Sequence, residues 1–161
     1  MFITKRNILF FLIILGTTYY AEWLYPQTAI NQCKWPSDND GTTVALIADP
    51  QLVDDNTYPG RNRIASYFTR VITDRFMARN YRMLRHTLKP EYVIFLGDLF
   101  DGGREWTDAV WKKEYDRMVK IFPRKEPLNP LMAIPGNHDV GSGETIVPGA
   151  FRRFKKHFGE A

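Results

Sequence analysis

The chain has 161 residues, of which 44% are hydrophobic and 25% charged, and its formal net charge is +4. This length leaves room for one domain with a modest core beside a targeting segment. The basic residues are spread over residues 61–85 and 112–156 without a motif that reads RNA or DNA, a pattern that favours solvated helix faces. We therefore expect no nucleic-acid partner.

The N-terminal segment has the pattern of a membrane anchor. Two basic residues precede an almost wholly apolar run over residues 8–16, and Trp23 and Tyr25 can complete a span at the membrane interface. We predict a cytosolic segment at residues 1–7 and a signal anchor at residues 8–25, with the rest of the chain in the lumen, because positive charge precedes the span. A cleaved signal peptide is the alternative, although the residues near its end are poor for cleavage.

Residues 26–42 are predicted to be a linker, because proline, glycine and small polar residues dominate their second half. The chain's lone cysteine, Cys33, lies in this segment. In an oxidising lumen it could pair with a cysteine elsewhere, and a free thiol without a role is equally compatible with the sequence.

Three apolar runs, at residues 43–48, 92–96 and 131–135, are bounded by turn residues. Continuous apolar runs of this kind predict strands buried on both faces. Helical periodicity over residues 64–88 and 107–122 places a helix between successive strands, and phenylalanines at i, i+3 and i+7 predict a further helix over residues 151–159. This order predicts an α/β fold with a mainly parallel sheet.

Polar side chains follow each predicted strand: Asp49-Pro50-Gln51 the first, the segment from Gly97 to Gly103 the second, and Gly136-Asn137-His138-Asp139 the third. Because ligands of open α/β sheets bind at the carboxyl ends of the strands, we expect these turns to lie together. Carboxylate, amide and imidazole donors suit divalent cations, and Asp98 is suited to bridge two of them.

These motifs, in order, resemble those of the calcineurin-like metallophosphoesterase family, whose pattern reads D-x-H, G-D-x-x-D-G and G-N-H-D/E, followed by an isolated His and G-H-x-H. The resemblance covers roughly residues 43–158. It implies Asp49 and Gln51 on a first metal ion, Asp98 between two ions and Asn137 on the second. His138 would be the acid beside the leaving group, with Asp139 orienting its imidazole, in a metal-assisted hydrolysis.

The chain departs from the family pattern at Gln51, where most members place a His, and an amide oxygen favours manganese or magnesium over zinc. The resemblance thus implies two divalent ions, with manganese as the expected metal. The chain's histidines are His86, His138 and His157, and nothing after Asp139 matches the later ligand motifs. We therefore expect residues 43–161 to be a partial domain, the N-terminal half of a metallophosphoesterase α/β sandwich.

Residues 48–54 and the following Thr57-Tyr58-Pro59 look like the eukaryotic secretory-pathway branch of this family. That likeness implies a manganese-dependent phosphodiesterase of the ER and Golgi membrane that removes ethanolamine phosphate from the mannoses of GPI anchors. Two alternatives stay open: an enzyme of the same fold acting on another phosphoester, and a membrane-tethered remnant without activity.

Several polar residues have a structural interpretation beside the functional one. We expect Asp101 to hydrogen-bond within its own turn rather than to bind metal. Asp54, Asp55 and Tyr58 could line a substrate entrance or simply be solvated. His86 and His157 lie on basic helical faces and are predicted to be surface residues.

Overall fold

The computed structural model describes residues 4–37, 41–124 and 132–159. The chain divides into two compact units, Met1–Asn39 with Arg82–Lys89, and Asp40–Tyr81 with Pro90–Ala161.

The first unit is built on a long N-terminal helix. It comprises α1 (Lys5–Tyr19), a π-helical turn (Tyr20–Leu24) and α2 (Tyr25–Gln32). Pro26 lies in the first turn of α2; because a proline cannot donate to the preceding turn and collides with it, the wider π turn accommodates the ring.

No side chain of this helix is buried. The helix has 28 residues, and an 18-residue stretch of it has a mean hydropathy of 1.4. At the usual helical rise it would be about 42 Å long, enough to cross a bilayer. A signal sequence near an N-terminus shares this length and composition. The helix extends to Gln32, so the first part of the predicted linker is helical, and Cys33 after it is an exposed free thiol.

The second unit contains a parallel sheet of order β1-β2-β3, formed by Val44–Ile47, Tyr92–Leu96 and Met132–Ile134. Helices α3 (Arg63–Leu88) and α4 (Asp108–Ile121) connect successive strands. The predicted order of elements and the parallel sheet are confirmed, with ends shifted by a few residues. Leu131, at the start of the third predicted strand, lies outside the described residues.

After the sheet come a short helix and a small hairpin that the sequence analysis did not include. These are α5 (Asn137–Val140), β4 (Gly141–Ser142) and β5 (Thr145–Ile146), followed by α6 (Pro148–Phe158). The last helix begins before residue 151, where it was predicted, because a proline suits the first helical position. This α/β architecture with an apolar N-terminal helix is the predicted fold class.

The hydrophobic core lies on one face of the sheet, where Phe95 and Ala133 meet α4, α6 and the loop between β2 and α4. Aromatic side chains dominate it: Phe95 packs edge-on against Phe122, and Trp111 packs on Phe100 and Tyr115. Large aromatic groups bury much apolar area each, which suits so small a core.

The opposite face of the sheet is uncovered, so the prediction of strands buried on both faces is wrong for the described chain. Side chains alternate along each strand. Five of those on this face are between 40% and 61% exposed: Leu46, Tyr92, Leu96, Met132 and Ile134. Val44 and Ile94, on the same face, are half-buried. No element among the described residues packs over them.

An ion-pair cluster joins α3, α4 and the segment after β1. Arg117 donates to Asp74 and Glu114, and also to the backbone oxygen of Val53 at 3.0 Å. Burial lowers the pKa of Arg117, but its bonds to the two carboxylates outweigh burial, and the net shift is upward. The guanidinium therefore stays charged and fixes the chain just beyond Gln51.

The two histidines predicted to be on the surface differ. His86 is exposed, as predicted. His157 is half-buried, with its ring centroid 4.7 Å from those of both Trp111 and Tyr115, so the surface prediction is wrong for it. The sequence indicated that its helix is basic, but it could not show which aromatic residues of α4 pack against it.

Candidate active site

The turns that follow β1 and β2 are joined by backbone hydrogen bonds beyond the strand ends. The amide of Gln51 donates to the oxygen of Asp98 at 2.8 Å, and that of Leu52 donates to Leu99 at 3.0 Å. Leu52 and Phe100 also form a parallel bridge. The predicted convergence of the first two motifs at one edge of the sheet is therefore present.

Three polar residues at this edge have left-handed backbone conformations: Asp49 with φ 50°, Gln51 with φ 37° and Asp98 with φ 47°. Such conformations are uncommon for residues other than glycine, although aspartate tolerates them comparatively well. Backbone strain of this kind occurs preferentially at functional sites, where the surrounding structure holds it in place.

The second and third motifs touch because two glycines allow it. A Cβ on Gly136 would overlap both the backbone nitrogen and the carboxylate of Asp98, and one on Gly97 would lie 3.0 Å from Gly136. Gly97 also has a φ of 89°, which favours glycine. Glycine at both positions is therefore needed for Asp98 to approach the turn after β3.

The carboxylate of Asp98 accepts a hydrogen bond from the backbone amide of His138 at 2.8 Å through Oδ1. Its other oxygen, Oδ2, has no hydrogen-bond partner among the described residues, so it can serve a cation. Asp98, in the second motif, thus contacts the third motif, at the place where a shared ligand is expected.

Asp139 does not have its predicted position. It is fully buried, and its carboxylate accepts hydrogen bonds from the backbone amides of Leu99, Phe100 and Gly136 at 2.9–3.2 Å. Burial raises its pKa to about 6, partly opposed by these amide donors, with Asp98 adding a small upward effect. Asp139 therefore ties the second turn to the third, and the expectation that it orients the imidazole of His138 is wrong.

Asp101 is the residue beside the imidazole. Its backbone oxygen lies 2.7 Å from Nδ1 of His138, and its carboxylate lies 3.5 Å from the same nitrogen. The carboxylate also accepts a hydrogen bond from Nε2 of Gln51 at 3.3 Å. Asp101 thus contacts residues of the first and third motifs rather than only its own turn. The signal that could have found this role lies in the motif, since Asp101 is the second aspartate of the G-D-x-x-D-G pattern.

The remaining predicted ligands are open to solvent. Asp49 and Asn137 are exposed and Gln51 is half-buried; since Gln51 donates through Nε2, its carbonyl oxygen is left for a cation. Within residues 4–37, 41–124 and 132–159, no group of three or more His, Cys, Asp or Glu side chains could hold a metal ion. The four predicted ligands, two of them amides, are hard oxygen donors of the right kind for such an ion, and they make up part of a coordination shell.

The loop after the first motif is held by Asp54 rather than left to solvent. Its carboxylate accepts from Trp106 Nε1 at 2.9 Å and from the amide of Thr57 at 2.8 Å. A Cβ on Gly102 would collide with both Trp106 and Asp54. Asp55 is exposed and pairs with Arg70 at 3.2 Å. Of the residues considered for a substrate entrance, Tyr58 is exposed, with Arg61 stacked over its ring.

Comparison with known proteins supports the likeness seen in the motifs. The chain is 44% identical over 152 residues to cell division control protein 1 of Saccharomyces cerevisiae, covering 91% of this chain and 31% of that protein. It is 28% identical to the metallophosphoesterase 1 homolog of Drosophila melanogaster and 26% identical to metallophosphoesterase 1 of Pongo abelii, over 91% of this chain and 39% and 38% of those proteins.

The chain thus spans about a third of the length of these relatives. No solved structure matches it significantly. The model of the calcineurin-like phosphoesterase family matches residues 42–160, which include all three motifs of the site. The chain therefore belongs to the calcineurin-like phosphoesterase family.

Proposed function

We propose that the chain is part of a dimetal phosphodiesterase that removes ethanolamine phosphate from the mannoses of GPI anchors in the ER or Golgi membrane. Membership of the family supports phosphoester hydrolysis as the reaction class. The observation that carries the proposal is the contact of the Asp98 carboxylate with the backbone of His138. It joins a candidate metal ligand in the turn after β2 to a candidate acid in the turn after β3.

Members of this family generally bind two divalent ions. In this chain Asp49 and Gln51 would hold one ion, Asn137 would contribute to the second, and Asp98 would serve both. The chemistry that divalent ions supply at such a site is Lewis acidity toward phosphate oxygens. Because these donors are oxygens, manganese is the proposed metal.

His138 is proposed to donate the proton that the leaving alkoxide needs. A proton on Nδ1 is fixed by the backbone oxygen of Asp101 at 2.7 Å, so the proton exchanged with the substrate is the one on Nε2. The Asp101 carboxylate also lies near this nitrogen, at 3.5 Å from Nδ1. Asp101 is thus the positioning residue for His138, and Asp139 supports the turn that carries it.

The substrate class and the location rest on the likeness of residues 48–59 to the secretory-pathway branch and on the apolar helix over Lys5–Gln32. Lys5 and Arg6, at the start of that helix, favour a cytosolic N-terminus, which would place the catalytic portion in the lumen. A membrane tether suits a glycolipid substrate that is itself embedded in the bilayer. The proposed partners are therefore GPI-anchored proteins or their lipid precursors, together with the membrane.

The test uses the protein purified in detergent from its native membranes, with variants introduced into its gene. We expect manganese-dependent release of ethanolamine phosphate from a mannose phosphodiester. His138→Asn should lower the rate on the order of 100-fold or more, because it removes the general acid. His86→Asn, a change at an exposed histidine, should leave the rate nearly unchanged.

Absence of diester hydrolysis by protein that has bound manganese would overturn the proposal. Hydrolysis of other phosphoesters in preference to the mannose diester would retain the reaction class and replace the substrate. Equal losses in the two histidine variants would remove His138 from the reaction.

A further inference from the structure

A cavity of about 510 Å³ lies between the N-terminal half of α4 and one face of α6. None of the candidate metal ligands lines it. The lining residues are mostly basic or aromatic: Asp108, Trp111, Lys112, Gly149, Arg152, Arg153, Lys156 and His157.

Two of the four cations at the cavity are already paired. Lys112 lies 2.6 Å from the carboxylate of Asp116, and Arg153 lies 3.0 Å from that of Asp108. Asp108, which itself lines the cavity, is thereby compensated. Arg152 and Lys156 have no ion-pair partner among residues 4–37, 41–124 and 132–159. The cavity therefore carries two uncompensated positive charges, one helical turn apart on α6, where like charges repel.

The start of α6 adds to this positive field. The helix begins at Pro148 with no side-chain cap and no acidic residue in its first turn, and the adjoining Gly149 lines the cavity. The first amide groups of a helix carry partial positive charge and attract anions. This helix end supplements the cationic side chains, which are the primary feature.

The imidazole of His157 lines the cavity from between the rings of Trp111 and Tyr115. Burial lowers its pKa, as do the charges of Lys156 and Lys112, while Asp116 acts in the opposite direction. The neutral imidazole is thereby favoured, and its titration reports on the local charge.

Two buried donors on lining residues, Nε1 of Trp111 and Nε of Arg153, have no hydrogen-bond partner among the described residues. Unsatisfied buried donors are uncommon in folded proteins. Both belong to residues that line the cavity, where Asp108 is the one carboxylate among the lining residues.

We propose that this cavity binds a phosphate group. A compact dianion matches two uncompensated cations a turn apart, and a guanidinium and an ammonium bind phosphate oxygens through charge-assisted hydrogen bonds. A free phosphate and the headgroup of an anionic phospholipid share this chemistry. The inference does not depend on the proposed hydrolase activity, because the cavity shares no residue with the candidate metal ligands.

The test is calorimetric titration of the whole chain in an uncharged detergent, with excess EDTA so that no metal ion can hold phosphate at the candidate active site. The probes are inorganic phosphate and dihexanoyl phosphatidate, which carries the same group on a short lipid. Saturable binding is expected, and the double variant Arg152→Ala/Lys156→Ala should weaken it at least about tenfold. The double variant Lys113→Ala/Lys120→Ala removes the same charge from exposed positions of α4 outside the cavity, and should change it by less than about twofold.

Proton NMR of His86 and His157 gives a readout that needs no variant. Phosphate should raise the pKa of His157, because a bound anion offsets the nearby lysines, and should leave the exposed His86 unshifted. Absence of saturable binding, equal weakening in both double variants, or equal shifts of His86 and His157 would overturn the proposal. Comparable affinity for both probes identifies a soluble phosphate as the ligand, and markedly tighter binding of phosphatidate identifies a lipid headgroup.

Discussion

Replacing Gly136 by alanine tests whether the close contact between the second and third motifs holds the candidate site together. The added Cβ would overlap the backbone nitrogen and carboxylate of Asp98. Backbone cannot give way as a side chain can, so the two turns must separate, and overpacking typically costs about 1–3 kcal/mol. The bond from His138 to Asp98 would be lost as well, at about 1.5–3 kcal/mol for a charged acceptor. We expect a total loss of about 2.5–6 kcal/mol, or roughly 5–24 °C in Tm.

Gly149→Ala is the matched control. Nothing lies closer than 3.9 Å to the Cβ that it would add, and alanine is a better helix former than glycine by up to about 1 kcal/mol. The two Gly→Ala substitutions should therefore change the free energy of unfolding in opposite directions. This is measured by urea unfolding followed by tryptophan fluorescence, without metal and in an uncharged detergent. A Gly136→Ala variant as stable as the wild type would refute the argument that this contact is tight.

Three further predictions concern charged or titrating groups. Asp139→Ala deprives backbone amides of their acceptor and should destabilise the metal-free chain by about 2–4 kcal/mol in urea unfolding, whereas a residue acting only on the imidazole would leave that stability unchanged. Arg117→Met leaves Asp74 and Glu114 without their partner and should lower the free energy of unfolding by about 2–4 kcal/mol. The contrary outcome is a variant whose stability equals that of the wild type at high salt. Because the pKa of His157 is lowered on folding, its contribution to stability is complete above its unfolded pKa of about 6.5 and is lost as the pH falls below that value; His157→Asn should flatten this part of the pH profile of unfolding.

The positions of the motifs could be predicted because they depend on chain order. Asp49, Asp98 and Asn137 each follow an apolar run, and successive parallel strands end at the same edge of a sheet. The order of the runs is therefore enough to place these three residues together. Helices α3, α4 and α6 were equally accessible, since their periodicity is a local property of the sequence.

The contacts within the site could not be predicted in the same way. Asp101 and Asp139 are both motif carboxylates, and chain order alone does not say which of them faces the imidazole. The answer depends on the turn at Gly136, which directs the Asp139 carboxylate toward the amides after β2. His157 presents the same difficulty, because its burial is decided by aromatic residues that are distant in sequence.

The uncovered face of the sheet is a third case, and it yields a prediction of its own. Leu46 and Ile47 are neighbours on β1 whose side chains point to opposite faces: Leu46 is 61% exposed, whereas Ile47 packs against the core. Apolar content alone could not distinguish them, because the residues on both faces are hydrophobic. An apolar sheet face of this kind is what a second packed layer requires.

Leu46→Thr and Ile47→Thr therefore form a matched pair. If the face is open in the protein, Leu46→Thr should change the free energy of unfolding by no more than about 0.5 kcal/mol and should reduce the binding of a hydrophobic dye, because it removes exposed apolar area. Ile47→Thr should cost about 1–3 kcal/mol, since it places a hydroxyl among core side chains. A loss for Leu46→Thr equal to that for Ile47→Thr would show that this face is covered in solution, and a dependence of that loss on protein concentration would identify a second copy of the chain as the cover.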